Sequence, residues 1–86
     1  MDIQLKRGIL EVCVLKALQR QDSYGSQIIK DLSPSVELSE STLYPILRRM
    51  EGAGCVTEYS VEHSGRLRKY YHLTPSGQKR ILDFLK

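Results

Sequence analysis

Eighty-six residues suffice for one domain, 1–86, and exclude a (β/α)8 barrel, a full dinucleotide-binding fold or a two-domain enzyme. Hydrophobic residues make up 41% and charged residues 27%, with six Gly and three Pro, which excludes a disordered or collagen-like chain. The net charge of +3 is uneven: residues 1–41 carry five Lys/Arg against six Asp/Glu, residues 42–86 eight against four, so the second half suits a polyanion partner or a solvated surface.

The longest apolar stretches, such as Val12 to Leu15, fall far short of the roughly 20 residues of a membrane span. Met1-Asp2-Ile3-Gln4 lacks the charged and apolar regions of a secretory signal. Cys13 and Cys55 stand far apart in apolar settings and read as reduced thiols, so the expected compartment is the cytoplasm.

Leu5, Ile9, Val12, Cys13 and Leu15 to Leu18 recur near helical spacing and predict a helix over 4–20, with Asp2 as a cap and Gln19-Arg20-Gln21-Asp22 closing it. The run Val12 to Leu15 is apolar enough for more than one side to be covered. Ser23 reads as the N-cap of a second helix with Ile28, Ile29 and Leu32 buried. Pro34 ends it, because the residue before proline is pushed out of helical geometry. Val36-Glu37-Leu38 alternates and reads as a minimal strand.

The third helix carries Leu43, Ile46, Leu47 and Met50 on one side. Pro45 is tolerated only near a helix start, so the helix is expected to begin at Ser41 or Thr42, or to bend there; Gly52 and Gly54 end it. The period then changes to two. Val56 to Glu62 and Arg66 to Leu73 alternate around His63-Ser64-Gly65, which predicts a β-hairpin with a polar, basic tip. Tyr71 shares a face with Leu73 and belongs to the core, while Tyr70 faces away. Thr74-Pro75 matches an N-cap followed by proline at the first helical position, opening a last helix from Pro75 toward Lys86 with Ile81, Leu82 and Leu85 apolar.

Helix, helix, short strand, helix, hairpin, helix is an α+β winged helix-turn-helix, in which the third helix enters the major groove and the hairpin flanks it. On a helical wheel the core residues of the third helix point one way. Ser41, Pro45 and Arg48 point nearly opposite, Thr42 and Arg49 flank one side and Tyr44 the other. Short residues near the helix start allow backbone approach, and Arg48 and Arg49 reach phosphates or guanine; two solvated surface arginines give the same pattern. Arg66, Arg68 and Lys69 cluster beside the hairpin turn, with His63 and Ser64 at its tip. Three cations on a short ribbon suit a phosphate backbone, and equally suit protection of an edge strand. Tyr24 and Gly25 open the second helix, where backbone N–H groups and a phenol can hold a phosphate, or where they are only a turn glycine and a half-buried ring.

Ser23-Tyr24-Gly25, the segment Ser41-Thr42-Leu43-Tyr44-Pro45-Ile46-Leu47-Arg48-Arg49-Met50-Glu51 and the segment Gly65-Arg66-Leu67-Arg68-Lys69-Tyr70-Tyr71-His72-Leu73-Thr74-Pro75-Ser76-Gly77 closely resemble the PadR family of bacterial transcriptional regulators. The resemblance covers the chain from about Leu5 to Gly77. It implies a homodimeric repressor that binds double-stranded DNA, with Thr42, Tyr44, Pro45, Arg48 and Arg49 on the recognition helix and Arg66, Arg68 and Lys69 on the wing. It also implies a small planar effector. Family members continue into a longer C-terminal helix that packs on the partner subunit; here twelve residues, 75–86, follow Thr74, a helix of roughly 18 Å that is expected to serve in dimerisation.

No catalytic residues, cofactor site or metal site are expected. His63 and His72 lie nine residues apart on opposite arms of the hairpin, and no carboxylate or cysteine stands at ligand spacing. Gly52 and Gly54 follow a helix, the wrong side for a phosphate loop. Cys55 would be a thiol sensor only if exposed. The readings that remain are a sequence-specific DNA-binding repressor acting on an inverted repeat with half-sites roughly 34–36 Å apart, and a winged-helix protein-interaction module.

Overall fold

The computed structural model describes residues 3–85, with side chains described from Arg7 onward. The elements are α1 (Ile3–Arg20), β1 (Ser23–Tyr24), α2 (Gly25–Leu32), α3 (Glu40–Gly52), β2 (Val56–His63), β3 (Arg66–Leu73) and α4 (Pro75–Phe84). The three strands form one antiparallel sheet in the order β1-β3-β2. This is the α+β winged-helix layout, with one strand in an unexpected place. The core joins Val14, Leu15 and Leu18 of α1, Ile28 of α2, Leu43, Ile46, Leu47 and Met50 of α3, Val56 and Tyr71 of the sheet, and Ile81 of α4.

The apolar repeats place the four helices, and α1 is indeed covered on more than one side, since Glu11, Val12, Val14, Leu15 and Leu18 are all buried. Three expectations are corrected. Ser23 is no N-cap. It pairs with Tyr71 as part of β1, its buried hydroxyl has no hydrogen-bond partner in the structure, and α2 begins two residues later behind Tyr24. Val36-Glu37-Leu38 is not a strand; the strand beside β3, opposite β2, is β1 at Ser23–Tyr24. Instead Leu38 is buried in the core and Val36 donates its N–H back to the Leu32 carbonyl in a turn. α3 begins at Glu40, behind Ser39, and carries Pro45 as its sixth residue. Pro45 has no N–H for the Ser41 carbonyl, a loss that the helix absorbs on its exposed side. α4, expected to run toward Lys86, ends at Phe84 with Leu85 as its C-cap, and the expected cap at Asp2 lies outside the described residues.

Local chemistry sets the joins. Ser64 and Gly65 both have positive φ, 52° and 79°, and form a two-residue turn between His63 and Arg66. Positive φ at both positions is the type I′ geometry whose twist matches the two strands. Gly54, with φ 78°, ends α3: its N–H reaches the Glu51 carbonyl at 3.0 Å, and the Cys55 N–H reaches the Met50 carbonyl at 2.8 Å. That bond pair closes the last turn of a helix through a left-handed residue.

The end of the wing locks onto this turn. Thr74 Oγ1 donates to the Gly54 carbonyl at 2.6 Å and accepts from the Gly77 N–H at 3.1 Å, while the Thr74 N–H donates to the Cys55 carbonyl at 3.0 Å. Thr74 is therefore both the N-cap of α4, as expected, and the clasp between α3 and the wing. Gly77 is buried against the Cys55 carbonyl, and a Cβ there would overlap that backbone oxygen. Gly77→Ala should destabilise the fold by about 1–3 kcal/mol, the usual cost of forcing volume into a packed site. Urea unfolding followed by circular dichroism measures it, and an unchanged midpoint would show that the junction gives way freely.

Candidate nucleic-acid interface

On α3 the division between faces is as the spacing predicts. Leu43, Ile46, Leu47 and Met50 are buried, whereas Ser41, Thr42, Tyr44, Pro45, Arg48 and Arg49 are exposed. At its start Ser39 Oγ lies 2.9 Å from Ser41 Oγ and 3.2 Å from Thr42 Oγ1, so three hydroxyls share one corner. Tyr44 leans over the start of α2: its phenol occupies the space that a Cβ on Gly25 would need. Glycine at position 25 is what lets the two helices approach there.

The strand period divides the wing cations that the sequence groups together. Register pairs Val61 with Arg68 and His63 with Arg66 on the outer face, whereas Ser60 pairs with Lys69 and Glu62 with Leu67 on the opposite face. Lys69 Nζ lies 3.6 Å from Glu58 Oε2. The Arg68 guanidinium sits over the Tyr24 ring, 4.2 Å from its centroid. Tyr24 meets Tyr70 edge-on with centroids 5.3 Å apart, and Tyr70 stacks on Tyr59 at 5.7 Å. His63 and Ser64 are exposed at the tip. A continuous run therefore leads from the wing to α3, from Arg68 to the Tyr24 ring, to Gly25, to Tyr44. α2 opens at Gly25 with no side-chain cap on its first N–H groups.

Two charge clusters were not legible in the sequence. Asp22 Oδ2 accepts from the Tyr59 hydroxyl at 2.6 Å, and Asp22 Oδ1 accepts from His72 Nδ1 at 2.8 Å. The bond from Tyr59, and then that from His72, hold the Asp22 carboxyl below its ordinary range. The same bond pushes the Tyr59 phenol up to about 12. In the second cluster Glu11 Oε2 accepts from Arg49 Nε and Nη2, both at 3.1 Å, and Oε1 accepts from Arg80 Nη2 at 3.3 Å. The only hint was an acid standing among apolar residues of α1. Arg49, expected as an open contact, is thus tied to α1. Cys55 is buried, so the exposure that a thiol sensor requires is not met.

A protein-family comparison matches residues 14–83 to the transcriptional regulator PadR-like family. The chain belongs to that family. A solved structure from Streptococcus mutans UA159 is 42% identical, superposes with a TM-score of 0.84 and is matched over 92% of this chain and 74% of its own. A transcriptional regulator from Clostridium thermocellum is 30% identical, with a TM-score of 0.87 over 95% of this chain and 84% of its own. Bacillus subtilis PadR in complex with operator DNA shares the fold, with a TM-score of 0.80 and 23% identity over 90% of this chain and 45% of its own. The chain is a PadR-family transcriptional regulator, and no helix among its described residues is long and apolar enough to cross a membrane.

The Asp22 cluster ties β1 to both wing strands and has a definite pH signature. Tyr59 is raised, so its contribution to stability is present below the ordinary tyrosine value of about 10 and is lost as pH rises through about 12. Asp22 is lowered, so its contribution is present above the ordinary aspartate value and is lost as pH falls through the lowered one. Asp22→Ala should bring the Tyr59 midpoint down from about 12 toward the ordinary tyrosine value of about 10. Tyrosinate absorbance, taken as the difference between each protein and its Tyr59→Phe counterpart, reads this directly; a high midpoint surviving in Asp22→Ala would remove the carboxylate as its cause.

Proposed function

We propose that this regulator is a sequence-specific repressor that binds double-stranded DNA as a homodimer on an inverted repeat and is released by a small planar effector. The observation that carries the DNA reading is the unbroken run from Arg68 through Tyr24 and Gly25 to Tyr44, which supports a wing and a helix meeting one stretch of duplex together. In this reading Ser41, Thr42, Tyr44, Pro45 and Arg48 face base edges in the major groove. Arg66, Arg68, His63 and Ser64 follow the phosphates, and Tyr24 with the first N–H groups of α2 holds one more. Lys69 joins them readily, since an exposed pair such as Lys69–Glu58 contributes only about 0–1 kcal/mol and exchanges for phosphate at little cost. Acting on DNA implies a cytoplasmic protein.

Random-sequence duplex at low salt, followed by fluorescence anisotropy, tests this. The protein should bind, and Arg66→Ala with Arg68→Ala should weaken binding to all sequences while lowering the slope of log Kobs against log salt by roughly 0.9 per lost phosphate contact. Tyr44→Ala or Arg48→Ala should instead alter the sequences recovered from a random pool. No binding at low salt would leave a protein-interaction module as the better reading.

The dimer rests on α4. Leu82, Phe84 and Leu85 are 55%, 45% and 62% exposed, an apolar end that a second copy would cover. The Leu82→Glu/Leu85→Glu variant should sediment as a monomer where the parent sediments as a dimer, and a parent already monomeric at micromolar concentration would end this part of the proposal. For the effector, an open recess of about 730 Å3 between α1 and the end of α2, lined in part by Cys13, Lys16, Ala17, Asp31 and Leu32, offers apolar and charged groups together.

A further inference from the structure

Among the described residues Glu11 is the one charged side chain that is buried, at 7% exposure. A carboxylate removed from water is tolerated only when its oxygens are bonded and its charge is matched. Here both oxygens are occupied, by Arg49 of α3 and Arg80 of α4, whose side chains remain 39% and 47% exposed. One acid thus holds two arginines from two other helices. Arg49 is the consequential partner. It lines the same surface recess as Ser41, Thr42 and Pro45, between α1 and α3. Released from Glu11, its guanidinium would lie on the flank of the helix that meets DNA, within reach of any phosphate there.

A phosphate contact of that kind carries no sequence information and tightens binding to every duplex alike. We propose that Glu11 is a specificity-determining residue of this regulator: by holding Arg49 from two donors against α1, it withholds that cation from the DNA backbone and suppresses non-specific binding. The exposed Lys69–Glu58 pair is readily exchanged for phosphate, but the Arg49–Glu11 pair is not, because losing Arg49 would leave Oε2 of a buried carboxylate without its two donors and Arg80 alone to match the charge. The proposal rests on the DNA-binding reading above.

The test measures log Kobs against log salt for random-sequence duplex with the full chain and three variants. Glu11→Gln keeps the shape and removes the charge. It should steepen the slope by about 0.9, so that its advantage over the parent shrinks roughly three- to four-fold between 50 and 200 mM salt. Glu37→Gln adds the same net charge at an exposed site between α2 and α3 and should leave the slope as in the parent. Arg49→Gln should also leave it unchanged, because Arg49 does not touch DNA in the parent. A Glu11→Gln slope equal to or shallower than the parent's overturns the proposal, as does an equal steepening in Glu37→Gln. If Glu11→Gln fails to fold, Arg49→Gln decides alone: a slope shallower by about 0.9 identifies Arg49 as a phosphate contact and overturns the assignment. Failure of the parent itself to bind random duplex is a different result, and removes the DNA reading with everything built on it.

Discussion

The junction around Thr74 governs where everything else can be. Four chain segments meet there: the left-handed turn that ends α3, the start of β2, the end of β3 and the first turn of α4. Thr74 uses its hydroxyl in both directions and its N–H in a third bond, so the wing cannot swing without breaking the cap of α4 or uncovering the closing turn of α3. Gly77 allows the backbones to approach closely enough for those bonds to form. The orientation of the wing relative to the recognition helix is therefore fixed at the wing's base, while its tip is held only by its own ladder and type I′ turn.

The surface built on this base sorts its cations by what surrounds them. Arg68 lies on an aromatic face, Lys69 beside an exposed carboxylate, and Arg49 against a buried one. These environments are not equivalent for a protein that must meet a polyanion. A ring leaves the guanidinium donors available, an exposed carboxylate competes weakly, and a buried carboxylate holds its partner because releasing it costs several kcal/mol. Formal charge counts all three alike, yet their availability differs in that order.

The tyrosines show a related economy of means. Tyr71 turns inward to the core, and burial raises its phenol. Tyr24, Tyr70 and Tyr59 turn outward and pack ring to ring across all three strands, edge-on and then stacked, with Asp22 bonded to the last of them. The two-residue strand β1, too short to hold on backbone bonds alone, is kept in the sheet by these side chains at both of its ends.

Residue order alone determined the four helices, the hairpin and its turn around His63-Ser64-Gly65, of which the structure assigns His63 to β2, the Thr74-Pro75 start of α4 and the split of α3 into buried and exposed faces. Each depends on neighbours within a few positions: a repeat of 3.6 or 2, a left-handed turn, a cap. Only the tertiary structure decided that Ser23 joins a strand, that Val36 to Leu38 does not, and that Glu11 holds Arg49. Those outcomes depend on which sheet edge is open and which charges meet across 38 or more residues. Strand pairing and ion pairing act between segments distant in the chain, so no local period records them.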